Sequence, residues 1–261
     1  MDALRTAATG MAAQQTRVDV IANNISNMST TAYAPRSAVF ADLIYRQDVT
    51  PGALSSRTGT IVPAGVQLGL GVRTAAIAMD IGQGGLRASG GDLDLAIEGR
   101  GFFEVELPSG EQAFTRDGKF EVSADGQVVT SSGFPLADGI TVPREARKLT
   151  ITPDGEVMAE FTDGTPPQSI GVITLSSFVN ERGLEALGSN LYRATEASGD
   201  PNPAPPGLDG NGFIRQGYLE ESGVDVVSEI ADLIEAQRGY ELNSKVLTAA
   251  DEMYAAATRI R

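Results

Sequence analysis

LRTAATGMAAQQTRVDVIANNIS, residues 4–26, returns a large apolar side chain every seven places, at Leu4, Met11, Val18 and Ile25. Ala7, Gln14, Ile21 and Met28 follow three places behind them. Seven-residue spacing lines a set along one helical stripe, and such a stripe seeks a partner helix. The pattern predicts a helix over residues 2–28. Gly10 weakens that helix by about 1 kcal/mol relative to Ala, which points to close packing rather than helix building. The polar cluster Asn23-Asn24-Ile25-Ser26-Asn27 and the following Ser29-Thr30-Thr31 fray its end. Pro35 forbids continuation and pushes Ala34 toward extended geometry.

The other end of the chain carries a matching pattern. Val226, Leu233, Tyr240, Leu247 and Tyr254 keep the seven-residue interval, with Ala236, Asn243, Ala250 and Ala257 beside them. This helix is expected to start near Ser222 or Asp225, either of which can cap free amides, with Glu229 favourably placed in the first turn. Running to the end of the chain, it spans about 36 residues and roughly 54 Å. Arg259 and Arg261 suit its negative C-terminal pole. A single stripe is ordinarily plain core. Two, at opposite termini, predict that the ends pack on each other or on other copies. One such pair is marginal by itself, because ordering so much backbone is costly. The ends are therefore expected to be largely unstructured in a free monomer and helical in an assembly.

The expected assembly interface comprises Leu4, Met11, Val18, Ile21, Asn23, Asn24, Ile25 and Asn27 on the first helix. On the last it comprises Ile230, Leu233, Gln237, Arg238, Tyr240, Asn243, Leu247 and Tyr254. Buried amides such as Gln14, Asn23, Asn24, Asn27, Gln237 and Asn243 can fix register between helices.

Between the helices the signals are short strands and turns. Residues 102–107, 112–116, 119–122, 127–130, 149–152, 157–161 and 170–178 are apolar runs. Asp117-Gly118, Asp125-Gly126, Asp154-Gly155 and Asp163-Gly164 punctuate them, and Asp-Gly between apolar runs marks a hairpin. The fold class expected is α+β: terminal helices forming a coiled-coil core unit, with a mainly antiparallel β domain inserted. The boundaries are residues 1–30 for the first helix, 31–75 for an extended connection, 76–217 for the β domain and 218–261 for the last helix. In the connection, Val39, Phe40, Leu43 and Ile44 suit a helical turn or two, and the rest reads as a long loop contacting neighbours. Residues 198–212, rich in proline, read as a stiff exposed linker.

Composition narrows the function. The 261 residues carry a net charge of −14, which disfavours nucleic-acid or anionic-membrane binding. Residues 1–46 hold four Arg against three Asp, while residues 219–261 hold four basic and nine acidic side chains, so the two ends attract weakly. With no Cys there are no disulfides or thiolate sites, which suits a cytosolic protein and an exported one equally. Polar residues interrupt Met1–Met28, so no cleavable secretory signal is expected. No apolar run approaches the roughly 20 residues that span a bilayer, so no direct membrane insertion is expected.

The chain also has no His, so the commonest general base is missing as well as the best nucleophile. Asp92, Asp94 and Glu98 could serve as a glycosidase carboxylate pair or a calcium site, but their spacing fits no EF-hand and solvated turns are the default. Gly82–Gly91 lacks the Gly-Lys-Ser/Thr ending of a phosphate loop. No catalytic residue, metal or cofactor is assigned. A secreted β-rich binding module with a helical stalk remains the rival to a self-assembling subunit.

Gln14-Gln15, then Asp19-Val20-Ile21-Ala22-Asn23-Asn24-Ile25-Ser26-Asn27, resembles the N-terminal signature of bacterial flagellar rod and hook proteins. Ala96-Ile97-Glu98-Gly99-Arg100-Gly101-Phe102-Phe103 with Phe114-Thr115-Arg116-Asp117-Gly118 is similar to their central motif. Gln216-Gly217-Tyr218-Leu219-Glu220 followed by Gln237-Arg238-Gly239-Tyr240-Glu241-Leu242-Asn243-Ser244-Lys245 is similar to the C-terminal one. The likeness spans essentially the whole chain in order. Its length and the segment Pro51 to Arg73 most resemble the members that build the distal rod; hook members carry a larger central insertion. Where the family often has Asn-Thr-x-Gly-Phe-Lys, this chain has Ser29-Thr30-Thr31-Ala32-Tyr33-Ala34, so an altered turn is expected at Ala32.

The resemblance implies a subunit that leaves the cell interior through the flagellar type III export apparatus without a cleaved signal. It implies a helical homopolymer crossing the periplasm as a rigid shaft that carries torque from motor to hook. Its partners would be proximal rod proteins, hook protein, and the peptidoglycan-level and outer-membrane ring proteins. The terminal helices would line the inner tube, the β domain would face outward, and residues 36–75 would wedge between subunits.

Overall fold

The computed structural model describes residues 2–49, 65–161 and 165–259. The expected features at Pro51 to Ala64, at the Asp163-Gly164 turn, at Arg261 and at the side chains of Ala257 and Arg259 lie outside those described. The chain divides into two compact units. Unit 1 gathers Met1–Ser26, Arg36–Met79 and Asp225–Arg261; unit 2 gathers Asn27–Pro35 and Asp80–Val224. The class is α+β: an N-terminal helix, a mainly antiparallel β region and a C-terminal helix.

Unit 1 holds both helices, α1 over Asp2–Ser26 and α2 over Val226–Arg259. Asp225 caps α2: its Oδ1 accepts from the Val227 N–H at 3.0 Å and its Oδ2 from the Ser228 hydroxyl at 2.8 Å. These bonds hold its carboxyl below the ordinary value of 3.8, the Ser228 hydroxyl contributing most. The remainder of unit 1 is a bent antiparallel ribbon. Arg36–Asp42 pairs with Val72–Met79, and Tyr45–Val49 pairs with Val66–Gly69. A helical turn around Val39 to Ile44 therefore does not form. The β-branched partners Val72, Thr74 and Ile77 favour a ladder, and a register shift after Val39 supplies the bend. The ribbon packs on α1, where the Val72 N–H donates to Thr9 Oγ1 at 3.3 Å. Gly71 beside it sits at φ 116 against Thr9, a position no side chain can take.

Unit 2 is built on a six-stranded antiparallel sheet in the order Glu185–Gly188, Leu191–Arg193, Gln112–Thr115, Phe102–Glu106, Leu175–Ser177 and Asn202–Ala204. A three-stranded sheet, Ala146–Ile151, Glu156–Phe161 and Gln168–Val172, and three two-stranded ladders complete it. Alternating inward residues fill one core, including Leu95, Ile97, Phe103, Val105, Leu175 and Ile214. Edge-to-face pairs give it specific geometry: Phe103 with Phe120 at 5.2 Å and Phe114 with Phe178 at 4.8 Å.

Two expectations change in unit 2. The run 170–178 is two strands in different sheets, because Asp138 grips Thr174 through its hydroxyl at 2.7 Å and its amide at 3.1 Å where they part. Residues 198–212 are not an exposed linker. Asn202–Ala204 closes one edge of the large sheet, and Ser198, Ala204 and Asn211 are buried. The Asn211 side chain donates to the carbonyls of Leu175 at 2.8 Å and Ala204 at 3.2 Å, so this proline-rich stretch is fastened from within.

Candidate functional site

The two helices of unit 1 run antiparallel and meet at four points. Asn24 meets Glu229, Arg17 meets Asp232 and Glu235, Gln14 lies over Gly239, and Asn243 lies over Gly10. A Cβ on Gly10 would stand 2.9 Å from Asn243 Nδ2, and one on Gly239 would stand 3.1 Å from Gln14 Cδ. Each helix thus offers a glycine to the other's amide. The expectation of close packing at Gly10 is explained by that reciprocity. Arg17 bonds Asp232 at 2.9 Å and Glu235 at 3.3 Å, which is where the weak charge asymmetry of the two ends acts.

Asn24 is the most constrained of the expected interface residues, with 1% of its surface exposed. Its Nδ2 donates to the Arg36 carbonyl and to Glu229 Oε1, each at 2.8 Å, and its Oδ1 accepts from the Arg36 N–H at 2.9 Å. One amide therefore fastens α1, the ribbon and α2. A buried side chain with its donors and acceptor matched in this way fixes register.

The other expected residues divide by environment. Ile21 is buried, while Leu4, Met11, Val18, Ile25, Leu233, Asn243 and Leu247 are half-buried. Asn23, Ile230, Gln237, Arg238, Tyr240 and Tyr254 are exposed. Asn27 belongs to unit 2, where its backbone and side-chain oxygens accept from Thr30. Most of what the helices bury is small: Ala7, Ala13, Ala236 and Ala250, with Ile21 and Asn24 beside them. The other large stripe residues flank that line rather than form it.

Sequence reasoning about the interface passed over several exposed apolar residues of α2. Val227, Ile234, Leu242, Val246 and Met253 are between 46% and 78% exposed. Their signal was present as apolar residues outside the seven-residue stripe. At 100° per residue, Val227, Ile230 and Ile234 lie away from α1, Leu242, Val246 and Met253 lie on one side, and Tyr240 lies at the edge of the face turned to α1. So α2 exposes apolar side chains on more than one face, among charged ones such as Arg238, Glu241 and Lys245, while α1 covers a single face. A groove beside Tyr240, lined by Gln15, Val18, Gln237 and Glu241, has a volume of about 410 Å³.

Glu98 pairs with Arg215 at 2.7 Å, and Asp94 bridges to Lys119 through the backbone. Among the described residues no group of three or more His, Cys, Asp or Glu is placed to hold a metal. No helix among them is long and apolar enough to cross a membrane.

In unit 2 the buried ionic centre is Arg116 with Glu220, paired at 3.0 Å. Arg116 also donates to the carbonyls of Gly101 and Gly99, each at 3.0 Å. Both residues come from family-like motifs, and their job here is to close the β unit. Ala32 takes φ 52, so the left-handed turn that glycine would supply is formed by alanine instead.

Residues 4–33 match the flagella basal body rod protein model, residues 96–159 the flagellar hook protein FlgE/F/G D1 domain, and residues 215–260 the flagellar basal body rod FlgEFG protein C-terminal model. The chain is 48% identical to the flagellar basal-body rod protein FlgG of Caulobacter vibrioides over 262 residues, covering 100% of both. It is 45% identical to the FlgG of Agrobacterium fabrum, covering 97% of each. It is 40% identical to the FlgG of Borreliella burgdorferi, covering 100% of this chain and 99% of that one.

Proposed function

The chain belongs to the flagellar basal-body rod protein family, alongside its FlgG members, and from that premise we propose a distal-rod shaft assembled from many copies. As a member it is a structural rod subunit of the flagellar basal body and not an enzyme. The finer reading is that copies stack helically, with α1 and α2 joining those of neighbours in a coiled-coil inner tube. The β domain, residues 76–217 in the sequence division, then faces outward, and residues 36–75 wedge between copies and stiffen them. The shaft spans the periplasm, reaches it through the type III export apparatus without a cleaved signal, and carries torque to the hook. Proximal rod proteins, hook protein and the two ring proteins complete its neighbours.

One observation carries this reading. Apolar side chains exposed on more than one face of a helix call for further partners, and α2 exposes Val227, Ile230, Ile234, Leu242, Val246 and Met253. A single partner covers one face. Partners at several angles favour an assembly larger than a closed dimer, and contacts that do not close on themselves make it open-ended. Electron microscopy of concentrated purified protein tests it: regular rods are expected, and a finite oligomer at every concentration would overturn the reading.

A further inference from the structure

Residues 27–35 leave α1 as an irregular strap, and its fixed points all lie within unit 2. Asn190, at the tip of the hairpin joining Glu185–Gly188 to Leu191–Arg193, donates its Nδ2 to the Thr31 carbonyl at 2.7 Å. The next residue, Ala32, donates its N–H to the Glu220 carbonyl at 2.9 Å and is 6% exposed. The Tyr33 carbonyl accepts from the Gly223 N–H at 3.0 Å, and the Pro35 carbonyl from the Asp80 N–H at 2.8 Å. Glu220 is itself immobilised: its carboxylate takes the Arg116 Nε at 3.0 Å and the Gly84 N–H at 2.8 Å.

We propose that this strap is a latch through which the folding of unit 2 governs the pairing of α1 with α2. The two helices are separated in sequence by residues 27–225. Joining them directly means closing a very long loop, whose entropic penalty grows with length. The bond between Tyr33 and Gly223 removes most of that loop. With the latch shut, residues 27–32 lie between the clasp and α1, and residues 224–225 between the clasp and α2. Pairing then becomes a local event. The coupling runs along the covalent chain and needs no other contact.

Ala32 is the weak point of the latch. At φ 52 an L-residue with a Cβ is strained, and only surrounding bonds keep it there. Local opening therefore starts at the strap before it reaches the phenylalanine core.

The chain has no cysteine, so spin labels can be placed at Ala22→Cys and Ala231→Cys, two exposed alanines on α1 and α2, and read in rods in which a few labelled chains are diluted into unlabelled protein, the state in which both helices are formed. Amide exchange at Ala32 and Gly223 reports the strap, and exchange at Phe103 and Val105 reports the core. Asn190→Gly removes the bond to Thr31 while accepting φ 57. It is expected to speed strap exchange about tenfold and to broaden the label distances, with the core unchanged. Adding Ala32→Gly relieves the strain and is expected to bring strap exchange back within about threefold and to narrow the distances again. Unchanged strap exchange in Asn190→Gly would overturn the latch. Faster strap exchange with unchanged label distances would overturn the coupling. If Asn190→Gly does not fold, Ala32→Gly alone decides: slower strap exchange with narrower distances is expected, and anything else refutes the proposal.

Discussion

Unit 2 fills its interior with large side chains and unit 1 with small ones. Phe102, Phe103 and Phe114 each expose 1% or less. The helix pair buries Ala7, Ala13, Ala236 and Ala250, with Ile21 its largest buried apolar side chain and much of its apolar surface turned outward. Burial stabilises roughly in proportion to apolar area, about 25 cal/mol per Å². One unit therefore finds its stability inside itself. The other lets its backbones approach closely and leaves several of its large apolar side chains exposed.

The largest effects should come from charging those outward side chains. Ile234→Asp or Leu242→Asp is expected to slow rod growth in sedimentation or light scattering by more than about 100-fold, because an unpaired carboxylate is costly to bury. The unfolding midpoint of unit 2 should not move. Growth at the parent rate would show that α2 is complete without neighbours.

Next in size is a contrast between two ion pairs. Removing Arg116 strands Glu220, which is 3% exposed, and Arg116→Ala is expected to destabilise unit 2 by about 3–5 kcal/mol in urea unfolding. Arg17→Ala removes a pair whose acidic partners are half exposed or more, and should cost less than about 1 kcal/mol. Similar losses from both would erase the distinction between the units. Asn24→Ala lies between these, at about 1–3 kcal/mol, since it leaves the Arg36 N–H and carbonyl without their partner.

The smallest effect is one of sign. Burial raises the carboxyls of Asp117 and Asp138 in unit 2 above the ordinary 3.8, while hydrogen bonds lower that of Asp225 at the start of α2. A raised carboxylate contributes stability that is fully present below 3.8 and is lost as pH rises through its folded value. A lowered one contributes above 3.8 and is lost as pH falls through its folded value. On acidification from neutrality, unit 2 should gain slightly before α2 loses its cap. Melting followed by near-ultraviolet and far-ultraviolet dichroism would separate the two, and a parallel fall in both signals would contradict the assignment.

Much of this contrast could be read before any coordinates. Seven-residue spacing located both helices, and Asp-Gly turns between apolar runs located most strands of unit 2. The ribbon over Arg36–Met79 was harder, because a short apolar run such as Val39 to Ile44 suits a helical turn as well as a strand. Only pairing with Val72–Met79 decides it. Proline content misled at 198–212, where the decisive contact is Asn211 reaching Leu175 across the fold. Ala32 lacks glycine's freedom, yet distant Asn190 and Glu220 hold it in the left-handed turn, which no local pattern displays. The stripes lie on the two helices that pack together, and Asn24, one of the amides expected to fix register, is buried where they meet. They did not reveal that alanines and glycines form the line of contact, because that depends on how closely two backbones approach.

Amide exchange on the free subunit and on assembled rods measures the difference between the units most directly. The Phe103 and Val105 amides should be strongly protected in both states. Amides throughout α1 and α2 should exchange quickly in dilute monomer and become protected by at least about 100-fold in the rod. Helices as protected in the monomer as the phenylalanine core would contradict the view that this end of the molecule is completed by its neighbours.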